Sequence, residues 1–222
     1  MRIFCTNSSS PLIQATEQWL NKIHSVKTVK NFFSSENESK TLMQGTDVFI
    51  HSLSEDPDME DQTKLDEAIR QTYALLSTCV EMGVKRFIFL GTLDTFKAYD
   101  PDYIIDEMWK PKPTAEINVL TSHMSEFICK EFGREHKIDV RVLRLGEVCW
   151  EESSNSDSPL FIVDALQAIQ RTVETDLISP DYIRYVPNTW NVFHIQSVVP
   201  NMRFKIIKAE DELGFSPQRL DL

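Results

Sequence analysis

Short apolar segments alternate with longer amphipathic segments along most of this 222-residue chain. Apolar runs of about four to eight residues predict buried strands, and apolar residues that recur every three or four positions predict helices. Helices that connect successive strands favour a mainly parallel sheet covered on both faces, so the sequence predicts an α/β fold. The predicted strands are Arg2–Thr6, Val26–Phe33, Asp47–His51, Arg86–Leu90, Asp139–Leu145 and a shorter one near Val192–Gln196. The first predicted helix begins at Pro11. Further helices are predicted at about Asp61–Met82, Ile117–His136 and Leu160–Thr175, and the closing segment includes Ala209–Leu213.

Polar and turn-forming residues separate these elements. Ser10 and Pro11 predict a helix start, because a serine can cap the first amide groups and proline fits the first helical position. Gly83 is typical of the residue that follows a helix, where a positive φ is needed. Residues 34–40 and 151–158 are polar and predict connecting loops. We therefore expect one domain, with a core over residues 1–150 and a reduced C-terminal region, 151–222, packed on it.

The charge and the cysteines indicate the environment and the classes of partner. The chain has 23 basic and 34 acidic residues, a formal net charge of −11, which disfavours nucleic acid and anionic membrane surfaces as partners. Its four cysteines form no C-x-x-C pair, a usage typical of a reducing compartment. Neither a membrane-spanning apolar run nor a signal peptide is recognisable. We expect a cytoplasmic protein.

Several segments, in the same order, resemble the extended short-chain dehydrogenase/reductase family, which contains NAD-dependent epimerases, dehydratases and uronate dehydrogenases. The strand D-V-F-I-H at 47–51 resembles D-V-V-I-H of that family, and G-V-K-R-F-I-F-L at 83–90 resembles G-V-K-R-F-V-Y-L. V-R-V-L-R-L-G at 140–146 and L-G-F-S-P at 213–217 are similar to V-x-V-L-R-x-G and to the closing L-G-F-x-P. The resemblance implies a Rossmann-like, doubly wound domain and NAD(P) as the family's cofactor.

The first strand-to-helix turn departs from the family pattern. The family opens with T-G-x-x-G-x-x-G, whose glycines let the backbone approach the diphosphate of the cofactor. Here Thr6, Asn7, Ser10 and Ile13 occupy the matching positions. Asparagine tolerates a positive φ, but Ile13 is expected to crowd the turn. The helix start could still hold a phosphate, although a plain cap is the simpler interpretation. The resemblance places any remaining cofactor contacts at Asn7, Ser9, Ser10, Pro11, Leu12, His51 and Ser52.

The catalytic positions implied by the resemblance are also changed. The family uses a tyrosine as general acid/base and a lysine four residues later, which the resemblance places at Asn118 and Ser122. The hydroxyl that holds the substrate oxygen falls at Thr92, and a relay asparagine falls at Ala68. No tyrosine of the chain has a lysine four residues later, so the loss does not depend on the alignment. At the end of the second strand, where the family keeps an acidic residue for the ribose, the chain has Lys30, Asn31 and Phe32.

Histidine offers no obvious replacement for these groups. His24, His51, His123, His136 and His194 lack the spacing of metal ligands, so no metal site is predicted. His123 lies next to the lysine position, but on a helix its side chain points about 100° away from that of Ser122. His51 or His123 could still act with Thr92 in acid/base chemistry, since the ordinary pKa of histidine suits that role.

Two functions remain open, and a third, a stabilising partner subunit for an active paralogue, cannot be distinguished from the first by sequence. The first is a non-catalytic binding or assembly module that dimerises through the helices at 61–82 and 117–136, as family members commonly do, and that binds a small nucleotide or sugar-like ligand. The second is an atypical NAD(P)- or nucleotide-binding oxidoreductase or epimerase that acts on a sugar-like substrate. The substrate region after Trp150 is short, which leaves few contacts for a large nucleotide sugar.

Overall fold

The computed structural model describes residues 1–29, 36–54, 56, 58–151, 156–177 and 189–218, without the side chains of 36–39. The strands are β1 (Arg2–Cys5), β2 (Ser25–Thr28), β3 (Val48–Ser52), β4 (Arg86–Thr92), β5 (Asp139–Leu145), β6 (Glu147–Cys149), β7 (Pro159–Phe161) and β8 (Trp190–Ile195). The helices are α1 (Pro11–Leu20), α2 (Glu36–Met43), α3 (Asp61–Glu81), α4 (Ile117–Arg134), α5 (Ile162–Glu174) and α6 (Ile207–Leu213). A short 3₁₀ helix spans Leu93–Phe96.

Six strands form a parallel sheet in the order β2-β1-β3-β4-β5-β8. Successive strands therefore need crossover connections, which the helices supply. The chain winds outward from β1 in both directions, so a crevice opens where β1 and β3 diverge at their carboxyl ends. This arrangement confirms the predicted Rossmann-like, doubly wound fold.

Two apolar layers hold the helices on the sheet. On one face, residues of α1, α5 and α6 pack with Ile50, Ile88 and Leu143 in one buried cluster. On the other face, α3 and α4 cover a row of stacked phenylalanines, with ring centroids 5.6 Å apart for Phe4 and Phe49 and 5.5 Å apart for Phe49 and Phe87. The row forms because the parallel register sets these residues side by side on neighbouring strands.

The structure differs from the sequence prediction in three places. Residues 36–43 form α2 where a polar loop was predicted; the helix has little apolar periodicity and is held to the core by the buried side chain of Met43. The small parallel pair β6 and β7 was not predicted either, since three-residue strands carry too weak a pattern. Strand β2 ends at Thr28, and Lys30, Asn31 and Phe32, which stand where the family keeps an acidic residue for the ribose, lie outside the described residues.

The C-terminal residues complete the same sheet. Strand β8 pairs with β5 along its length, from Val140 with Trp190 to Leu145 with Ile195. The buried carboxylate of Asp164 accepts hydrogen bonds from the Ser197 hydroxyl, at 2.5 Å, and from the Gln218 amide, at 2.8 Å. The start of α5 therefore anchors both the end of β8 and the segment that follows α6.

Candidate functional site

Two adjoining cavities lie along the carboxyl ends of β1, β3, β4 and β5, and we call them together the cleft. The first cavity, of about 280 Å³, includes Asp94, Glu116, Asn118 and Ser122 in its lining. The second, of about 380 Å³, includes Ser10, Pro11, Leu12, Glu147 and Trp150. Ser52, Leu90, Gly91 and Thr92 line both cavities. The cleft therefore occupies the position where proteins of this topology bind their ligands.

The turn between β1 and α1 is built without glycine. Asn7 has a φ of 61°, so it supplies the left-handed conformation, and its side-chain amide donates to the Leu53 carbonyl at 2.7 Å. The Ser9 hydroxyl donates to Asn7 Oδ1 at 3.1 Å. The polar side chains of Asn7 and Ser9 are thus engaged within the protein. Ser10 occupies the predicted cap position, but its side chain makes no capping hydrogen bond.

Part of the backbone of this turn cannot donate hydrogen bonds to a diphosphate. The Ser8 amide donates to the Val29 carbonyl at 2.9 Å, and the Ser10 amide donates to the Asn7 carbonyl at 2.9 Å. Pro11 begins α1 and has no N–H to donate. The amides of Ser8 and Ser10 are therefore used within the protein, and Pro11 has none to donate to a phosphate.

Ile13 was expected to crowd the turn between β1 and α1, but it lies in the core. Its side chain is fully buried in the cluster between α1 and the sheet and does not line the cleft. One helical position follows another by about 100°, so Ile13 faces the sheet while Pro11 and Leu12 face the cavity. The isoleucine fills the space between helix and sheet, and the residues that face the cavity at this turn are Ser10, Pro11 and Leu12.

His51 lies in the core below the cleft. Its Nδ1 is 2.9 Å from Thr6 Oγ1, and its Nε2 is 3.1 Å from Thr72 Oγ1. Because the Thr72 hydroxyl donates to the Ala68 carbonyl at 2.7 Å, the network assigns the ring proton to Nε2, with Nδ1 as acceptor from Thr6. Burial lowers the pKa of His51 to about 3. The histidine is neutral at physiological pH, and both ring nitrogens are occupied by the protein.

Three of the predicted catalytic positions meet in the first cavity: Thr92, Asn118 and Ser122. The Thr92 hydroxyl accepts a hydrogen bond from the Asp94 amide at 3.1 Å, which caps the short 3₁₀ helix. Asn118 is exposed and Ser122 is buried. The fourth position, Ala68, is buried in α3, and its carbonyl accepts the Thr72 hydrogen bond described above. His123 is half-buried on α4 and is not among the described lining of either cavity.

Carboxylates dominate the charge of the cleft. Asp94 and Glu116 line the first cavity and Glu147 lines the second, whereas no lysine, arginine or histidine belongs to the described lining of either. The nearest ammonium is that of Lys97, which donates to Asp94 Oδ2 at 2.8 Å from outside the lining. This hydrogen bond, with the fields of Glu116 and Glu147, raises the pKa of Lys97. The local field therefore favours cations.

A buried ionic network behind the cleft was missed by sequence reasoning. Arg144 Nε and Nη2 donate to the two carboxylate oxygens of Glu126, at 3.0 and 2.5 Å, and Arg144 Nη1 lies 3.3 Å from His194 Nε2. The side chains of Arg144 and Glu126 are 5% and 8% exposed. The guanidinium also lies 5.0 Å from the ring centroid of Phe96. An arginine within the otherwise apolar end of β5 was the available signal.

Two more arginines stabilise the opposite edge of the sheet. Arg141, only 1% exposed, donates to the carbonyls of Thr172 and Thr175 at 2.9 and 2.6 Å, and Arg86 donates to that of Val173 at 2.5 Å. These carbonyls end α5 and have no partner within the helix. Desolvation lowers the pKa of Arg141, and Asp139, 2.9 Å from both guanidinium groups, offsets part of that shift. This cluster is remote from the cleft and supports the fold.

The parallel doubly wound sheet and the cleft at its carboxyl edge define a protein of the Rossmann-like α/β class. The profile of the NAD dependent epimerase/dehydratase family matches residues 17–176, well over half of the chain. The chain therefore belongs to this family, part of the extended short-chain dehydrogenases/reductases, as the sequence motifs predicted. The match begins after the turn that lacks glycine. No curated protein matches the sequence.

Solved structures share this fold at low sequence identity. A mutated uronate dehydrogenase is 15% identical with a TM-score of 0.77, over 98% of this chain and 82% of that one. UDP-N-acetylglucosamine 4-epimerase from Bacillus cereus is 14% identical with a TM-score of 0.78, over 99% and 94%. Glucuronic acid dehydrogenase from Chromohalobacter salexigens is 15% identical with a TM-score of 0.78, over 98% and 84%. Among the helices that the structure describes, none has the length and apolar character needed to cross a bilayer.

Proposed function

We propose that this chain is a non-catalytic member of its family that acts as a binding and assembly module. The observation that carries the proposal is the pair Asn118 and Ser122 in the lining of the first cavity. The family resemblance places a proton-transferring tyrosine and its lysine at these two positions, and neither an amide nor an alcohol can replace them near neutral pH. The described lining of the cleft contains no tyrosine, lysine or histidine.

The state of the remaining candidates supports the same proposal. His51 is neutral and held between two threonines, so it has no free ring nitrogen for proton transfer. The Thr92 hydroxyl has a structural task, since it caps the 3₁₀ helix. The amides of Ser8 and Ser10 are used within the protein, which weakens the turn as a diphosphate site. What remains is a polar cleft at the carboxyl edge of the sheet whose described lining lacks the reactive groups of the family.

Calorimetric titration of the protein with NAD, NADP, ATP and UDP-sugars tests the cofactor half of this proposal. We expect no saturable heat with any of them at low salt, because Asp94, Glu116 and Glu147 repel phosphate groups at the cleft. With NAD and uronic acids or UDP-sugars present, we also expect no change in absorbance from NADH. Micromolar binding of a dinucleotide would instead favour the alternative, an atypical NAD(P)-dependent oxidoreductase or epimerase, and a Thr92→Ala variant would show whether any turnover arises in the cleft.

The assembly half of the proposal concerns the outer surface of α3 and α4. The two helices pack side by side, with the rings of Tyr73 and Phe132 in edge contact at 5.6 Å between centroids. Tyr73 and Phe127 are 59% and 53% exposed, which is unusual for aromatic side chains in the middle of long helices. We propose that this surface pairs with that of a second copy, as the family resemblance implies.

Multi-angle light scattering of the protein and of two matched variants tests the dimer. We expect the mass of a dimer for the unchanged protein and a shift towards the monomer for Phe127→Lys, because a charge at a paired apolar surface is costly. Ile207→Lys replaces an equally exposed apolar residue, 56% exposed on α6, and should leave the dimer intact. A protein that is monomeric at all concentrations, or a dimer unaffected by Phe127→Lys, would contradict this part of the proposal.

A further inference from the structure

The charge of the cleft indicates which class of ligand it can bind. Asp94, Glu116 and Glu147 contribute three carboxylates, and the described lining contains no cationic side chain. Carboxylates at the mouth of a low-dielectric cavity repel anions and attract cations. A phosphorylated or carboxylated ligand is therefore disfavoured, and a positively charged one is favoured.

A hydroxyl group that opens into the cleft adds a possible contact for the ligand. Ser122 is only 6% exposed and lines the first cavity, and its side chain has no hydrogen-bond partner in the part of the chain that the structure describes. The neighbouring Thr121 hydroxyl, by contrast, donates to the Ile117 carbonyl at 2.8 Å. Because no described group of the protein uses it, the Ser122 hydroxyl is free to bond a polar group of a ligand in the cavity.

An aromatic side chain, that of Trp150, forms one wall of the cleft. Trp150 lines the second cavity next to Glu147 and Val148, and its side chain is 54% exposed. An exposed indole face beside a carboxylate suits a cation or the C–H face of a sugar ring. Gly91 and Thr92 connect this wall to the cavity of Ser122, because they line both. One ligand of monosaccharide size could touch the indole and the hydroxyl.

From these observations we propose that the cleft binds a polyhydroxylated amine, an amino sugar or amino polyol in its protonated form. The ammonium group faces Asp94, Glu116 and Glu147, and the ligand hydroxyls face Ser122 and Thr92, with the ring against Trp150. The inference rests on the proposed function, because it takes the cleft to be free of a dinucleotide. It goes further by naming the class of ligand.

Lys97 shows that the rim of the cleft already stabilises an ammonium group. Its Nζ is bonded to Asp94 at 2.8 Å, and the fields of Glu116 and Glu147 reach the same nitrogen and raise its pKa further. One lysine does not neutralise three carboxylates. The excess negative charge is available to a second ammonium, and the 56% exposed side chain of Lys97 has solvent around it into which it can turn when a ligand enters.

Calorimetry with three sugars that share a pyranose ring and differ in charge tests the proposal. The probes are D-glucosamine, D-glucose and D-glucuronate at neutral pH and low salt. We expect D-glucosamine to bind at least about tenfold more tightly than D-glucose, with a Kd on the order of 1 mM for so small a ligand, and D-glucuronate not to bind. The preference should shrink as salt is added, since the attraction is electrostatic. Equal affinities, tighter binding of D-glucuronate, or no heat from D-glucosamine would overturn the proposal.

A matched pair of variants locates the binding. Glu116 is exposed and its side chain does not cap α4, so Glu116→Gln should fold normally and weaken D-glucosamine binding by about five- to tenfold without affecting D-glucose. Glu210→Gln removes an exposed carboxylate from α6, remote from the cleft lining, and should change nothing. A Glu116→Gln variant that binds D-glucosamine as before would refute the site. If the amino sugar does not bind, the titration with NAD still tests the non-catalytic function independently. The proposal about the ligand and the proposal about the function can therefore fail separately.

Discussion

Replacement of Arg144 by methionine is expected to lower the free energy of unfolding by about 3–5 kcal/mol, because it leaves a buried carboxylate without its partner. Arg144 holds both oxygens of Glu126 and lies beside His194 Nε2, and the two charged side chains are almost entirely excluded from solvent. Urea denaturation measures the change, with the slope of the transition as the test that the unfolded state is unaffected.

Helix α4, which carries Glu126, provides a control for this substitution. Arg134 pairs with Glu131 at 2.8 Å, but the side chains are 61% and 42% exposed, so Arg134→Met should cost at most about 1 kcal/mol. The double variant Arg144→Met with Glu126→Leu should recover most of the loss, since apolar side chains replace buried ion pairs well. A single Arg144→Met variant within about 1 kcal/mol of the unchanged protein would show that the pair does not hold the fold.

Acidification from pH 7 to pH 5 is expected to destabilise the protein by about 2 kcal/mol through His51. Burial between Thr6 and Thr72 lowers its pKa to about 3, whereas an unfolded histidine titrates near its ordinary value of 6.5. Below that ordinary value the unfolded chain binds a proton that the folded chain does not. Stability is therefore complete above about pH 6.5 and is lost progressively as the pH falls towards 3.

A second buried histidine acts in the same direction. Burial, with the positive charges of Arg144 and Lys208, lowers the pKa of His194 well below its ordinary value, so this residue adds to the loss of stability in the same pH range. Urea denaturation at pH 7, 6 and 5 measures the total. His136→Asn changes an exposed histidine with a φ of 54°, a conformation that asparagine tolerates, and should leave the pH dependence unchanged.

NMR titration of the histidine ring protons assigns the effect to individual residues. The ring signals of His51 should not shift between pH 7 and pH 5 in the folded protein. A His51 resonance that titrates with a midpoint above pH 6 would contradict the assigned environment. A stability that is constant over this pH range would contradict the linkage for both residues.

The residues that stabilise the fold are largely separate from those that line the cleft. The Glu126 and Arg144 pair, the stacked phenylalanines and the arginines at the end of α5 all stabilise the sheet, and none of these residues belongs to the described lining of the cleft. Substitutions in the cleft can therefore accumulate with little cost in stability. The retained Thr92 fits this view, because its hydroxyl is needed for the turn that follows β4.

Much of the fold was predictable from the sequence because local periodicity reports burial directly. The strands β1, β3, β4 and β5 and the helices α3 and α4 were predicted close to their observed limits, and Asn7 was predicted to tolerate the positive φ that it adopts. The missed elements have a physical explanation. Helix α2 is polar apart from the residues that touch the core, and β6 and β7 are too short to show a period.

The sequence by itself determined the Rossmann-like class and the family. It also showed that the family's Tyr/Lys pair and the glycines of the first strand-to-helix turn are missing, because these features depend on residue identity and on short-range pattern. Tertiary structure decided that Ile13 fills the core and that His51 lies between two threonines. It also decided that Asp94, Glu116 and Glu147 gather around one cleft. Side chains far apart in the chain meet only through the crossing of strands and helices, and their burial and mutual fields, which set charge and reactivity, arise from that packing.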